Sequence, residues 1–280
     1  MTFLAMILAL VLSMVWSYRG ILHQDDWYAR LKAQVAGLGL GEGIAVAIQV
    51  GLPVLAVTLL LEQLERVLFG LPWIVAASFL LLYSLGRVNT GQWAERYRSQ
   101  CRRGDFEAAL LDANEQSPDA TDTEGAAPHD PQSVHLTVQR ALLQAEMRGW
   151  FGVLFYFVLL GPAAALAYRL LDLSAEPGKG HWWMNVADWL PSRLAAASFM
   201  VMGNFVDSVD ECYEGFRHPE MSANALLLSV ARAAVSHDKI APPVDGFGDF
   251  AARQNEELSA LVHRGAICWL LVISLWAMAG

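Results

Sequence analysis

The sequence predicts an all-α fold: a polytopic membrane protein of about six transmembrane helices with two large helical cytosolic loops. Three observations lead there. The chain is 55% hydrophobic and only 17% charged, with mean hydropathy +0.35, which is too apolar for an ordinary soluble domain. Apolar runs recur along it, separated by polar stretches. Lys and Arg fall overwhelmingly in alternate polar stretches, as the positive-inside rule requires.

The run Gly149–Leu171 is central. Its one charge is Arg169, near its far end. As a single helix it is long enough to cross a hydrocarbon core of roughly 30 Å. Gly161-Pro162 lies close to its middle. Proline removes a donor and clashes with the preceding turn, so a kink is expected. The backbone groups freed there need partners inside protein, because lipid offers none. Ala163, Ala164 and Ala165 permit close packing on that side.

From the N-terminus, residues 2–18 read as a first, short membrane helix; no basic region precedes it and no small-residue cleavage pattern follows. Residues 19–43 are polar and amphipathic. Gly37, Gly39, Gly41 and Gly43 lack the preceding strand and following GK[ST] of a phosphate loop and read as a flexible entry to the next helix. Ile44–Leu61 is the second apolar helix, Glu62–Arg66 a polar break and Val67–Leu85 the third, with Pro72 near its start, where proline is tolerated. Residues 1–85 thus form an N-terminal membrane segment whose second and third helices make an antiparallel hairpin.

Residues 86–149 form a first cytosolic loop. Trp93, Tyr97, Phe106 and Leu110 recur at near-helical spacing, interrupted at Gly104-Asp105. Residues 113–132, rich in Pro, Asp, Thr and Glu, read as a disordered linker. Helical patterning resumes at Ser133 through Val134, Val138 and Leu142. Residues 150–206 carry membrane helices four and five, joined by a loop over 172–185. Residues 207–265 form the second cytosolic region, with helices over 223–235 and 249–264 and a loop over 241–248. Residues 266–280 end the chain with a short apolar helix.

The three candidate inside loops, 19–43, 86–149 and 207–265, carry three, seven and five Lys plus Arg, against one each for the opposite loops. This places the large loops in the cytosol and both termini outside. The net charge of −9 and the lack of a basic stripe exclude nucleic acid as a partner. The implied partners are the lipid bilayer and a cytosolic or membrane protein. Cys101, Cys212 and Cys268 make no CxxC and read as plain small hydrophobes. The histidines make no metal spacing and no serine-nucleophile motif occurs, so hydrolytic chemistry has no support.

Arg169 and Arg193 are the ionisable residues most firmly inside apolar segments, which makes them candidate ligand-binding residues. The topology puts both near the outer interface. There they could hold an anionic group, pair with Asp172 or Asp188, or snorkel to headgroups. Asn204, Asp207, Asp210, Glu211 and Glu214 cluster at the inner end. Asp207 and Glu211 share a helix face, as do Asp210 and Glu214, which fits either a cation site or a solvated face. Glu146 and Arg148 lie just before the central segment and could line a cytosolic mouth with Asp207.

Three stretches carry a family likeness: GLPWIVAASFLLLYSLGR (70–87), GVLFYFVLLGPAAALAYRL (152–170) and ADWLPSRLAAASFMVMGNF (187–205). With their GPxxAxxYR and WLPxRL pieces, among them Gly161, Pro162, Tyr168 and Pro191, the chain resembles the AmpE family of inner-membrane proteins. That family shares a wider group with the cobalamin-biosynthesis membrane protein CobD, an adenosylcobinamide-phosphate synthase. The AmpE resemblance implies a regulatory or sensory role in β-lactamase induction beside cell-wall recycling, in response to antibiotic, without catalysis. The cobalamin branch would imply an amide-forming ligase using ATP and Mg²⁺. Gln144-Ala145, Arg148, Asp172, Ala175 and Met184-Asn185 depart from the pattern of that branch at its polar and acidic positions, removing oxygen donors that Mg²⁺ would need. Small-molecule transport is the remaining reading; the paired broken helices that mark a midplane transport site are not evident.

Overall fold

The computed structural model describes residues 2–15, 25–66, 68–86, 88–117, 130–175, 181–235 and 244–279. Among these, regular structure is helical throughout and no strand occurs. The chain divides into two compact units. One comprises Met1–Arg87 with Arg148–Glu176, the other Val88–Met147 with Pro177–Gly280.

The first unit holds α1 (Thr2–Val15), α2 (Asp26–Ala36), α3 (Glu42–Glu65) and α4 (Leu71–Ser84). Pro72 sits in the first turn of α4, where its missing N–H costs nothing. The polar break expected over 62–66 is largely absent: Glu62 to Glu65 form the last turn of α3. The reversal falls instead at Phe69 and Gly70, both at positive φ. Small residues let α1 and α4 approach closely. Ala5, Ala9 and Ala77 are fully buried, and Ser78 Oγ donates to Ala5 O at 2.9 Å.

The central segment is not one helix. A π-turn over Met147–Phe151 leads into α8 (Gly152–Leu160), which stops at Gly161, and α9 runs from Pro162 to Ser174. Gly161 has φ 90° and ψ −178°, a region open essentially to glycine alone, and Pro162 supplies a ready first helical turn. The result is a reversal, not the expected kink. Tyr156 and Tyr168 stack with ring centroids 5.1 Å apart. Arg148 Nη1 lies 3.5 Å from Asp172 Oδ1. In a straight helix those two residues would stand about 36 Å apart. The arms, 9 and 13 residues long, reach only about 14 and 20 Å, too short to cross a bilayer singly. Tyr28, Val50, Leu166 and Leu170 form the core around α9.

The second unit is a helical bundle. It contains α5 (Thr90–Arg103), α6 (Phe106–Gln116), α7 (Pro131–Glu146), α10 (Trp182–Met202), α11 (Phe205–Arg217), α12 (Ala223–Val235) and α13 (Val244–Ala279). Gly104 ends α5 in a left-handed cap, and Asp105 then caps α6 by accepting from Ala108 N. The segment read as a linker over 113–132 is shorter than expected. Ala113 is fully buried in α6, and Asp130 caps α7 by accepting from Gln132 N and Ser133 N; residues 118–129 of that reading lie outside the described residues. Trp93, Tyr97, Val134, Val138, Phe250 and Ala251 build the core. Cys101 and Cys212 are buried thiols, and burial pushes Cys101 up to about 11. The helices expected separately over 249–264 and 266–279 are one continuous helix of 36 residues. The loop expected from 172 to 185 is narrower, because α9 reaches Ser174 and α10 begins at Trp182.

Among the described residues two helices are long and apolar enough to cross a membrane: Glu42–Glu65 and Gly246–Met278. The six crossings expected are therefore not found as six long spans. Large apolar side chains face outward on both helices, including Leu52, Leu55, Leu59 and Leu60 on α3 and Leu271, Val272, Leu275 and Trp276 on α13. Water penalises such a surface and lipid does not.

Candidate functional site

The sequence leaves open what Arg169 and Arg193 hold. Arg169 Nη1 donates to Asp172 Oδ2 at 2.6 Å, one turn on in α9, and Arg148 approaches the other oxygen of the same carboxylate. The carboxylate is thus shared by two guanidinium groups at the base of the α8–α9 hairpin. Lys32 Nζ donates to Leu173 O and Ser174 O, and Tyr28 Oη to Leu170 O, which covers carbonyls at the end of α9.

Arg193 is fully buried in α10. Its guanidinium lies 4.3 Å from the centroid of Trp189 and donates to Trp189 O, His218 O and Pro219 O. The latter two are carbonyls just past the end of α11, where a cation meets the negative end of the helix dipole. Pro191 lies inside α10, one turn after Ala187. Both arginines are held by protein groups, one by a carboxylate and one by backbone carbonyls. Arg169 shares the Asp172 carboxylate with Arg148, and Arg193 reaches the carbonyls of His218 and Pro219.

The acidic cluster at the start of α11 divides. Asn204 is the helix cap: its Oδ1 accepts from Asp207 N at 3.3 Å and its Nδ2 donates to Asp207 Oδ2 at 3.0 Å, which fixes the carboxylate. Asp207 and Glu211 line a cavity of about 600 Å³ within the second unit. Glu214 instead lies 3.1 Å from His218 Nε2. No cluster of His, Cys, Asp and Glu suited to a metal ion occurs among the described residues. Glu146 is not part of the cavity lining. Desolvation raises its carboxyl, and a hydrogen bond with Thr90 and the His263 charge pull it partly back.

The cavity also brings together residues that sequence reasoning did not single out for a site: His135, Gln139 and Arg140 from α7, and Arg232 from α12. Their signal was present. Gln132, His135 and Gln139 recur at steps of three and four residues, with Arg140 next to Gln139, making a polar stripe along α7. Leu228, Phe247 and Phe250 supply an apolar wall. His135 is buried, with Nε2 3.0 Å from Gln254 Oε1 and Nδ1 2.6 Å from Tyr97 Oη. An amide oxygen only accepts, so Nε2 carries the proton and the Tyr97 hydroxyl donates to Nδ1. Both ring nitrogens are satisfied by the neutral imidazole.

Burial pushes His135 down to about 4 from an ordinary value of 6.5. The unfolded chain therefore binds a proton that the folded chain refuses across that interval. The contribution is fully present above pH 6.5 and is lost as pH falls towards 4. Stability is expected to drop by about 3 kcal/mol over that window from this group. Urea-type unfolding of the wild type and His135→Gln, compared at pH 7 and pH 4.5, checks this. An equal acid sensitivity in both proteins would exclude His135 as its source.

The polar cavity, the membrane-type exterior of α3 and α13 and the GP reversal are the context for the comparison with known families. The family description "Regulatory signalling modulator protein AmpE" matches residues 1–174, more than half of the chain. The chain belongs to the AmpE family. The match to AmpE includes α1–α9 and so contains the GPxxAxxYR stretch that forms the hairpin. It gives no support to the cobalamin-biosynthesis branch or to transport. No curated protein and no solved structure matches the chain. AmpE membership makes this a regulatory signalling modulator, and together with the two apolar helices marks it as a membrane protein.

Proposed function

We propose that this AmpE-family chain is a multi-pass protein of the bacterial inner membrane that modulates β-lactamase induction, beside cell-wall recycling, without catalysing a reaction. The family match over residues 1–174 carries the reading. The outward apolar faces of α3 and α13 support membrane insertion, and the fifteen Lys and Arg of the three large polar stretches support a cytosolic location for them. In this reading α8–α9 is a re-entrant hairpin whose two ends lie on one side. Non-helical backbone is tolerated at membrane depth where protein surrounds it, and fully buried Ala165, Leu154 and Phe157 are consistent with such an enclosure. The bundle of α5–α7 and α10–α13 is the part that would bind a ligand and present the outcome to a cytosolic or membrane protein partner.

A clean deletion in the native host tests the role. β-Lactamase activity after exposure to an inducing β-lactam should differ severalfold between deletion and parent, and a plasmid copy should restore the parental response. Unchanged induction in the deletion strain would count against the reading.

A further inference from the structure

Within the second unit α10, α11 and α12 pack against one another, and close contacts fix how they run. At one end, Gly203 joins α10 to α11, and a Cβ on it would stand 2.6 Å from Ala234 Cβ, near the end of α12. Asn204 N donates to Ala234 O at 2.8 Å. At the other end, a Cβ on Gly215 of α11 would overlap Leu226, near the start of α12. The end of α11 is also tied back to α10: Arg193 donates to His218 O, and Trp189 Nε1 to Pro219 O. Thus α11 runs antiparallel to both neighbours.

Buried Ser208, Cys212 and Gly215 mark the packed face of α11. The next sector round the helix is apolar and open: Phe205, Val206, Tyr213 and Phe216 are between 47% and 76% exposed. The open row of α10 is Trp182, Val186, Leu190 and Leu194, at steps of four residues. Both helices turn a packed face to α12, so the two rows open on the side away from it. An apolar patch spread over two helices marks an interaction surface. Its position says what covers it. Asp210, Glu211, Glu214 and Arg217 are exposed along the remaining sector of α11, which keeps that helix out of hydrocarbon. Tied beside it, α10 stays at the same depth. A helix divided into packed, apolar and charged sectors suits the plane of a bilayer interface, where Trp and Tyr are also favoured. An independent level mark comes from α13. Its charged part ends at His263 and Arg264, its apolar part begins at Ala266, and a Cβ on Gly265 between them would stand 2.9 Å from the Phe199 ring of α10. So α10 meets α13 at the level where α13 leaves water.

From these features we infer that the α10–α11 hairpin is a membrane-docking surface. It lies flat in the boundary between lipid headgroups and acyl chains, with its apolar rows towards the acyl chains and Asp210 and Glu214 in water. The occupant is the lipid bilayer itself, because the hairpin meets α13 at the depth where α13 enters it. The inference rests on membrane insertion of α13, and it makes α10 an in-plane helix where the sequence predicts a crossing one. The hairpin along the bilayer and α13 through it together fix the orientation of the bundle on the membrane.

The test is spin-label accessibility on the full-length protein in phosphatidylcholine vesicles. Cys268→Ser removes the partly exposed thiol, and the buried thiols of Cys101 and Cys212 resist labelling. Labels are placed singly at Val186→Cys, Tyr213→Cys and Phe216→Cys on the apolar face, and at Asp210→Cys and Glu214→Cys on the charged sector. Leu275→Cys on α13 is the reference. All these positions are exposed, so the labels disturb no packing. The ratio of accessibility to oxygen over accessibility to a water-soluble nickel chelate is high in lipid and low in water. It is expected to be severalfold greater at the apolar sites than at Asp210→Cys and Glu214→Cys, and Leu275→Cys should share the high value. Equal, low ratios at apolar and charged sites, with Leu275→Cys still shielded from nickel, would overturn the docking surface and leave the membrane reading standing. Apolar sites closed to both oxygen and nickel would also overturn it, because protein, such as a second copy of the chain, would then cover the face. Nickel access at Leu275→Cys as well would overturn the membrane reading together with the docking surface.

Discussion

Asp172→Ala is expected to destabilise the first unit by about 3 kcal/mol, at the lower end of what breaking a buried ion pair costs. The Asp172 side chain keeps 16% exposure, so the loss does not reach the full buried value. The physical cause is not one lost bond. Removing the carboxylate leaves Arg169 and Arg148 close together with no shared counter-charge between them. Arg169 is 8% exposed and cannot escape into water without opening the hairpin base. The free energy of unfolding in mixed micelles, titrated with dodecyl sulfate, measures the effect. In a continuous helix Asp172 would have only Arg169 as its neighbour, and the i,i+3 pair would be worth a few tenths of a kcal/mol. A loss below about 1 kcal/mol would therefore sink the two-arginine clamp.

Gly152→Leu is the second substitution with a large expected effect, and here the sign decides. A Cβ on Gly152 would stand 2.5 Å from Tyr168 Cζ, well inside contact distance. Tyr168 cannot swing aside: it is 1% exposed and stacked on Tyr156. Leucine at 152 must push the arms of the hairpin apart, at a cost of about 3 kcal/mol. Were residues 149–171 one spanning helix, the same change would help. Glycine in a helix interior costs about 1 kcal/mol relative to good helix formers, and leucine is favoured in lipid. The same unfolding titration separates the two cases. A Gly152→Leu protein as stable as the parent, or more so, would remove the reversal.

Much of the local structure was legible along the chain. The spacing of Trp93 and Tyr97 announced a buried face of α5, and both are fully buried. Gly104-Asp105 announced the break between α5 and α6, because glycine ends helices and aspartate begins them. The i,i+4 relation of Asp207 and Glu211 put them on one face, and both line the cavity. Arg169 with Asp172 was one of the pairings open at i,i+3. The distant partners of Arg193 were not legible: two of its three acceptors are backbone carbonyls 25 and 26 residues away, and every residue has a carbonyl. The buried amide oxygen of Gln139, which has no hydrogen-bond partner, was equally hidden, since satisfaction depends on what the facing helices bring.

The amino-acid sequence by itself determined the all-helical class of this protein and the alternation of apolar and polar segments, because hydrophobic periodicity acts through each residue's own transfer free energy. It also determined that Gly161-Pro162 would interrupt a helix, because proline lacks a donor and clashes locally. Only the tertiary structure decided where the chain goes after the interruption. A kink and a full reversal begin with the same two residues and differ in one glycine's dihedral angles. The choice falls to contacts made far along the chain, between Gly152 and Tyr168 and between Arg148 and Asp172.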